Sequence, residues 1–259
     1  MELVDTHVHL DDEAFDGDRE AVLERAAAAG VRALVAIGSG LESSRKTAAL
    51  AEHHPQVAAA VGIHPHAAGT VAPEAVRQLE PLLERARVVA IGETGLDYYR
   101  GYAPRPAQEA LFRAHLALAQ EAGLPVIIHC REAYPEVLAI LREFLHTQVI
   151  FHAFSGSVEV AAACLDHGGH LAFGGPLTFR NARPPAEVAA AVPLEQILLE
   201  TDAPLLSPEP YRGNRNEPAR VRLVAERLAE IRGIDTEAVA EATTANARRV
   251  FRLPVVAPA

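Results

Sequence analysis

Cysteine is scarce in this sequence, with only Cys130 and Cys164 among 259 residues. The two form no CxxC pair and are too few to staple a chain of this length, which fits a reducing compartment. No stretch approaches the ~18 consecutive apolar residues of a membrane span, and the first residues show neither a basic nor an apolar signal region. We therefore expect a cytoplasmic protein without membrane association, and no obligate protein partner is evident.

Positive charge is also in short supply. Lysine and arginine total 24 against 34 aspartates and glutamates, so the formal net charge is -10. A protein of this charge repels phosphate backbones, which excludes a general DNA-coating role and restricts any nucleic-acid contact to a local part of the surface.

Short apolar runs recur along the whole chain, each followed by a helix-like segment rich in Ala, Leu, Glu and Arg. The runs are apolar throughout rather than alternating, as expected of parallel strands buried on both faces. Eight such units, with no GxGxxG motif after the first run, predict a single-domain (β/α)8 TIM barrel over residues 1–259. The predicted strands begin at Leu3-Val4 and continue with Ala33–Ile37, Val57–Val61, Val88–Ile91, Val126–Ile128, Val149–Phe151, His170–Phe173 and Ile197–Leu199.

Apolar residues at three-to-four spacing predict helices over Pro106–Ala122 and Ala219–Arg232, and a last helix over Thr236–Phe251. The longest irregular stretch is Ala203–Pro218, which contains four prolines and follows the eighth strand. Barrels place their active sites at this end of the strands, so we interpret the stretch as a functional loop.

Side chains that can bind metal follow the ends of the predicted strands. In a closed parallel barrel all strand carboxyl ends open onto one mouth, so residues scattered over the sequence converge there. Four histidines and two carboxylates form a mixed nitrogen and oxygen set that suits Zn²⁺, Mn²⁺, Fe²⁺ or, with waters, Mg²⁺. The six predicted metal ligands are His7, His9, Glu93, His129, His152 and Asp202.

Alternation along the first strand places His7 and His9 on the same side, where both imidazoles can face one ion. Glu93, on the fourth strand, lies between this pair and the histidines of the fifth and sixth strands, so its carboxylate can bridge two ions. Two-metal sites of amidohydrolases commonly use a carboxylated lysine as the bridge, but the only lysine, Lys46, follows the second strand. Glu93 must then take that place.

Other polar residues near the strand ends are candidates for substrate contacts. We interpret His64 as a site residue and His66 as a surface residue, because Pro65 breaks the extended run between them. Arg131 lies two residues beyond His129 and can bind a phosphate through its guanidinium, the alternative being a salt bridge to Glu93 or to its neighbour Glu132.

Three further assignments follow from alternation and position. Glu200 precedes Asp202 by two residues and is expected to orient a ligand histidine or Arg131. Cys130 should point outward and contribute to packing. Tyr98-Tyr99-Arg100 and Tyr211-Arg212 can stack a base or bind a phosphate, or they are ordinary exposed residues of loop ends.

Motifs at these strand ends, in order from residue 3 to residue 218, resemble those of the TatD-related deoxyribonucleases. They are Leu3-Val4-Asp5-Thr6-His7-Val8-His9-Leu10-Asp11, Gly62-Ile63-His64-Pro65-His66, Gly92-Glu93-Thr94-Gly95-Leu96-Asp97-Tyr98-Tyr99, His129-Cys130-Arg131-Glu132-Ala133, His152-Ala153-Phe154-Ser155-Gly156, Leu199-Glu200-Thr201-Asp202-Ala203-Pro204 and Arg212-Gly213 with Asn216-Glu217-Pro218. Two departures are visible. Ala153 stands where relatives often have Cys, and Asn214 stands where many have Lys, which weakens one possible phosphate contact.

The resemblance implies a TIM barrel that hydrolyses phosphodiester bonds of DNA with divalent metal. It implies one ion held by His7, His9, Glu93 and Asp202, and a second held by Glu93, His129 and His152. The expected cofactors are two ions of Mg²⁺, Mn²⁺ or Zn²⁺, and the expected substrate is DNA, as single strands or ends, cleaved by an exonuclease.

The residues also suggest roles in the reaction. Asp202 is expected to accept or relay the proton of an activated water, with Glu93 as the other catalytic residue, while His64 and Arg131 bind substrate. Two alternatives stay open. One is a metal-dependent amidohydrolase acting on an ester or amide, such as a D-aminoacyl-tRNA deacylase, and the other is a metal-binding barrel without turnover.

Overall fold

The computed structural model describes residues 1–254, and residues 255–259 of the predicted domain lie outside the described residues. Eight strands form one parallel sheet in which each strand pairs with the next along the chain. This is the predicted (β/α)8 TIM barrel. The strands are β1 Leu3–Val8, β2 Val31–Ile37, β3 Val57–Val61, β4 Val88–Asp97, β5 Val126–Arg131, β6 Val149–Phe151, β7 His170–Phe173 and β8 Ile197–Leu199.

Helices cover the outside of the sheet and alternate with the strands. The predicted helices over Pro106–Ala122 and Thr236–Phe251 are confirmed, and the one over Ala219–Arg232 begins as a 3-10 turn, Pro218–Arg220. Among the described residues, no helix is long and apolar enough to cross a membrane. The helices are α1 Arg19–Ala28, α2 Leu41–His53, α3 Glu80–Leu83, α4 Arg105–Ala122, α5 Tyr134–Leu141, α6 Val158–Asp166, α7 Arg183–Ala191, α8 Val221–Arg232 and α9 Thr236–Phe251.

The barrel closes between β8 and β1 through residues that follow β8. The N–H of Asp202 donates to the carbonyl of His7 at 2.9 Å, and the N–H of His9 donates to the carbonyl of Ala203 at 2.8 Å. Closure therefore places Asp202 beside the His-x-His pair, although they are far apart in sequence.

Alternate strand residues divide the core into two layers. Those that point into the barrel are mostly small or branched, such as Val35, Ala60 and Ile127, and they form one cluster with Val250 and Phe251 of α9. The amide of Asn246, also on α9, donates to the carbonyls of Leu194 and Ile197 at the start of β8. The last helix thus closes the amino end of the barrel and leaves the carboxyl end open.

Two strands run further toward the carboxyl end than the apolar runs predict. β4 continues from Ile91 to Asp97 and β5 from Ile128 to Arg131, with Gly95 paired to His129. A Cβ at Gly95 would lie 2.1 Å from the carbonyl oxygen of His129, so only glycine allows this approach. The extension carries Glu93 and His129 together above the barrel core.

Candidate active site

The six predicted metal ligands converge at the carboxyl end of the barrel. His7 lies one residue before the end of β1 and is fully buried, while the remaining five border a cavity of about 780 Å³ that opens at the mouth. The predicted substrate residues His64 and Arg131 border the same cavity. The structure thus brings together at one mouth the residues that the sequence analysis grouped, and their roles stay predictions.

The carboxylate of Glu93 lies at the centre of this group and divides it. Its Oε2 atom is 3.6 Å from Nε2 of His7 and 3.8 Å from Nε2 of His9. Its Oε1 atom is 3.0 Å from Nδ1 of His129 and 3.2 Å from Nε2 of His152. Each carboxylate oxygen thus faces a different pair of imidazoles, an arrangement in which one carboxylate can serve two cations.

Asp202 and His64 complete the group on opposite sides of Glu93. The Oδ1 atom of Asp202 is 3.3 Å from Nε2 of His9 and 3.7 Å from Nε2 of His7. Nε2 of His64 is 3.6 Å from Oε1 of Glu93. Asp202 therefore joins the His-x-His side, and His64 joins the side of the fifth and sixth strands.

The donor set fits a divalent cation. Both ring nitrogens of His7 are buried without a hydrogen-bond partner, which is unfavourable unless the imidazole binds something else. His7, His9 and Asp202 offer ligand atoms within 4.8 Å of one another, as do two further groups that include Glu93. Imidazole nitrogens and carboxylate oxygens in a partly open mouth are the ligands that catalytic zinc, manganese or iron sites use.

Electrostatics in the mouth keep the carboxylates ionised. Burial alone would raise the pKa of Glu93, but His64, His152 and His129 outweigh it and lower the pKa well below its usual range. For Asp202, burial is likewise outweighed by the hydrogen bond to His9, which lowers the pKa of the carboxyl. Two buried anions, balanced by histidines rather than by fixed cations, attract a metal ion.

Glu200 supports His152 from below. Its Oε1 atom lies 3.3 Å from Nδ1 of His152 and accepts the N–H of Ala153 at 2.6 Å. Nε2 of the same ring faces Glu93, so a carboxylate at Nδ1 fixes which nitrogen is free to bind. Glu200 therefore lies where it was expected, beside His152, and its role in orienting a metal ligand stays a prediction.

Asp97 provides the same support for His129, and the sequence analysis did not assign it. The carboxylate is 1% exposed, and its Oδ2 atom lies 3.0 Å from Nε2 of His129. Its Oδ1 atom accepts the N–H of Arg100 at 2.9 Å. The structure supplies the reason, because β4 continues to Asp97, which alternates in phase with Glu93 and therefore points into the same mouth.

His66 does not lie on the surface as expected. The 3-10 helix Pro65–Gly69 turns its ring back into the mouth, where Nε2 is 2.9 Å from Oδ2 of Asp97. Its side chain remains 34% exposed. The expectation was wrong because Pro65 redirects the chain without turning it away from the site.

Comparison with known proteins supports the same conclusion as the geometry. A family model described as TatD related DNase matches residues 4–252. The chain belongs to this family. The TatD family barrel of Escherichia coli K12 known as YJJV, a TatD homologue of solved structure, superposes with a TM-score of 0.92 at 34% identity, over 97% of this chain and 98% of that chain.

Relatives of known sequence extend the TatD family comparison. An uncharacterized metal-dependent hydrolase, YabD of Bacillus subtilis, is 43% identical over 97% of this chain and 99% of its own length. A protein of Edwardsiella piscicida named 3'-5' ssDNA/RNA exonuclease TatD is 37% identical over 97% of this chain and all of its own length. This chain is accordingly a TatD family metal-dependent hydrolase.

Arg131 lies at the rim of the TatD family site with an exposed side chain. Its guanidinium lies 3.9 Å from the ring centre of Tyr99, which is 54% exposed. Among residues 1–254, it forms no salt bridge with Glu93 or Glu132, which was the alternative interpretation. The cation is therefore held by an aromatic face and stays available to an anion.

The arginines of the long loop have a different environment. Arg215 forms two hydrogen bonds to the carboxylate of Asp18 and one to the carbonyl of Ala14. Arg212 stacks on Phe179 at 4.2 Å, and Tyr211 lies under Arg220 at 4.3 Å. In this TatD family chain the Arg215 side chain ties the loop to the residues around α1 rather than reaching the mouth.

Proposed function

We propose that this protein is a metal-dependent phosphodiesterase that cleaves single-stranded DNA or DNA ends with two divalent cations. The observation that carries the proposal is the position of the Glu93 carboxylate, whose two oxygens face two separate pairs of imidazoles. In this assignment His7, His9 and Asp202 hold one cation with Glu93.

His129 and His152 would hold the second cation together with Glu93. Mg²⁺, Mn²⁺ and Zn²⁺ are the cations that this mixed donor set admits. Bound there, they supply Lewis-acid activation of a water and of the phosphoryl oxygens. The positions of Glu200 against His152 and of Asp97 against His129 fix the ring nitrogens that point inward.

Asp202 is the proton acceptor in this proposal. It is ionised because the hydrogen bond to His9 overcomes the effect of burial on its pKa, and it lies at the cavity wall where a water can reach it. A group that must take a proton from water near neutral pH has to be unprotonated beforehand, and Asp202 meets that condition.

Substrate is held by His64 on the inner wall and by Arg131 on the rim. Arg131 offers a planar, permanently charged donor group suited to a phosphate, and the exposed ring of Tyr99 lies beneath it. With a net charge of -10, the rest of the protein does not attract a duplex. A local cationic rim contacts only a short length of backbone, as a single strand or a frayed end presents, in agreement with the exonuclease names of some relatives.

The test is hydrolysis of end-labelled single-stranded and duplex DNA by protein freed of metal with a chelator. We expect no cleavage without metal, recovery with Mg²⁺ or Mn²⁺, and faster cleavage of the single strand. Cleavage that continues in excess EDTA would contradict the proposal. Release of a D-amino acid from acylated tRNA, with no cleavage of DNA, would instead support the amidohydrolase alternative.

A further inference from the structure

The two rims of the mouth differ in chemistry. On the β4 and β5 side lie the exposed Arg131 and Tyr99. On the β7 and β8 side the cavity is bordered by Pro176, Leu205 and Leu206, and the two leucines are 59% and 39% exposed. Single exposed leucines are common, but adjacent exposed leucines that border a functional cavity form an apolar surface of the kind that binds a ligand. We name these three residues the apolar wall.

The apolar wall is formed by two loops that are in contact with each other. A Cβ at Gly175 would lie 1.9 Å from the carbonyl oxygen of Leu206, so the loop after β7 is in direct backbone contact with the loop after β8. The N–H of Glu209 also donates to Oγ1 of Thr178 at 2.9 Å. The backbone of Leu206 is thus packed against the loop after β7.

The apolar wall is also attached to the reacting centre. The N–H of Leu205 donates to the carbonyl of Asp202 at 2.8 Å, so the leucine follows the proposed proton acceptor by a single turn. The candidate metal ligands His9, Glu93 and Asp202 border the same cavity, to which β5 contributes Arg131 and the loops after β7 and β8 contribute the apolar wall. A ligand that spans the mouth must be apolar at one end and anionic at the other.

We infer that the apolar wall binds the base of the nucleotide on one side of the scissile phosphate, while the strand on the other side leaves over Arg131. The inference rests on the proposed function, since it places the scissile phosphate at the metal-binding groups. A base lies one sugar away from its phosphate and offers a flat, poorly hydrated face that leucine and proline side chains can cover.

The arrangement also explains a preference for unpaired substrate. A base within a duplex is stacked and paired, and it can reach the apolar wall only after it has been pulled out of the helix at a cost in free energy. A single strand presents its bases without that cost. The cavity of about 780 Å³ is in the range of sites that enclose small ligands, and it is larger than a phosphate group needs.

The experiment uses metal-loaded, full-length protein and a set of single-stranded oligonucleotides in which one abasic residue is moved along the chain. With wild type, we expect KM to rise on the order of tenfold when the abasic residue abuts the scissile bond on one side, because the covered base is lost. We expect no such rise from the other side, where Arg131 contacts the phosphate.

Leu205→Ser is the decisive variant, and Leu145→Ser is its matched control. Leu145 is 60% exposed, like Leu205, but it lies between α5 and β6 at the opposite end of the barrel. Leu205→Ser should raise KM for the intact oligonucleotide and leave kcat within about twofold of wild type. It should also remove most of the abasic penalty, which is the rise in KM caused by the abasic residue. Leu145→Ser should keep the full penalty.

An abasic penalty that is absent in wild type, equal on both sides, or unchanged in Leu205→Ser would overturn the assignment of the apolar wall while leaving the phosphodiesterase proposal intact. Failure to cleave any oligonucleotide with any of the three metals would overturn the proposed function itself. A change of oligomeric state in Leu205→Ser, measured by light scattering, would show that a second copy covers the apolar wall and would also overturn the assignment.

Discussion

Acidic residues have different partners in the mouth and in the helical shell. In the shell, half-exposed carboxylates form ion pairs with arginine, as in the pairs Arg77–Glu121, Arg113–Glu143 and Asp18–Arg215. In the mouth, the buried carboxylates Glu93, Asp97 and Asp202 contact histidines. In the shell pairs both charges are neutralised and no metal ion is needed, because a guanidinium is permanently charged and has no lone pair to donate to a metal.

A histidine paired with a carboxylate does not neutralise it permanently. Its charge depends on a proton, and its neutral ring can donate a lone pair to a metal ion. The hydrogen bond to the Asp202 carboxylate raises the pKa of His9 to about 9 against the effect of burial, so positive charge is favoured beside this carboxylate. A divalent cation supplies that charge, so the comparison separates structural ion pairs from a functional site.

The largest effect is expected from Glu93→Gln. The substitution keeps the shape but removes the charge shared by both pairs of imidazoles, so metal content should fall at both positions. Activity should fall beyond the ~10²–10⁴-fold typical of losing one acid or base. Elemental analysis after gel filtration measures the metal content.

His129→Ala provides the matched comparison for that experiment, since the His129 ring faces only one oxygen of Glu93. This variant should mainly lose the metal ion from one of the two positions. Two ions that remain bound to the Glu93→Gln protein would show that the carboxylate is not shared.

Asp202→Asn is expected to have the next largest effect. It removes the proton acceptor while retaining one coordinating oxygen, so metal binding should weaken modestly and kcat should fall by about 10²–10⁴-fold. Steady-state kinetics and metal analysis on the same sample separate the two changes.

Glu200→Gln serves as the control for Asp202, because it acts through His152. We expect a loss of about 10–100-fold with an unchanged pH profile. If Asp202→Asn with its metals bound cleaves DNA within about threefold of wild type, the residue is only structural, and His64 is the next candidate base.

Asp97→Asn tests the support that the sequence analysis missed. The amide can still accept the N–H of Arg100, but it holds the His129 ring less firmly, so metal affinity should fall by about 10–100-fold at one position only. Metal titration monitored by calorimetry gives the affinities. An unchanged titration would mean that His129 is held by its neighbours alone.

The smallest effect is expected in the shell. Arg113 forms two hydrogen bonds to the carboxylate of Glu143 at 3.0 and 2.9 Å, yet both side chains are well exposed. Arg113→Ala should shift the thermal midpoint by less than about 2 °C and leave metal content and cleavage unchanged. A loss of metal in this variant would remove the distinction between shell and mouth.

Much of the fold could be predicted because its signals are local. The positions of the strands follow from apolar runs, and the last helix matches its prediction over Thr236–Phe251. The extension of β4 to Asp97 could not be read from the apolar runs, because residues 92–97 include Gly, Glu and Asp. That extension depends on pairing with β5, which is a long-range contact.

The site divides in the same way. Residue types at strand ends predicted which side chains meet at the mouth, the six candidate ligands and Glu200 among them, since alternation fixes the side of a strand to which each points. The position of His66 could not be predicted, because a 3-10 turn redirects it toward Asp97. The long-loop arginines were equally ambiguous, since nothing local indicates that Arg215 pairs with Asp18.

The sequence by itself predicted the barrel and the candidate ligands at its mouth, because periodicity and residue chemistry are properties of short segments. Only the tertiary structure decided which imidazoles face each oxygen of Glu93, and that Arg131 lies on the ring of Tyr99. It also brought the loops after β7 and β8 together into the apolar wall. These outcomes depend on distances between segments, which are set by barrel closure and by backbone contacts at residues such as Gly95 and Gly175.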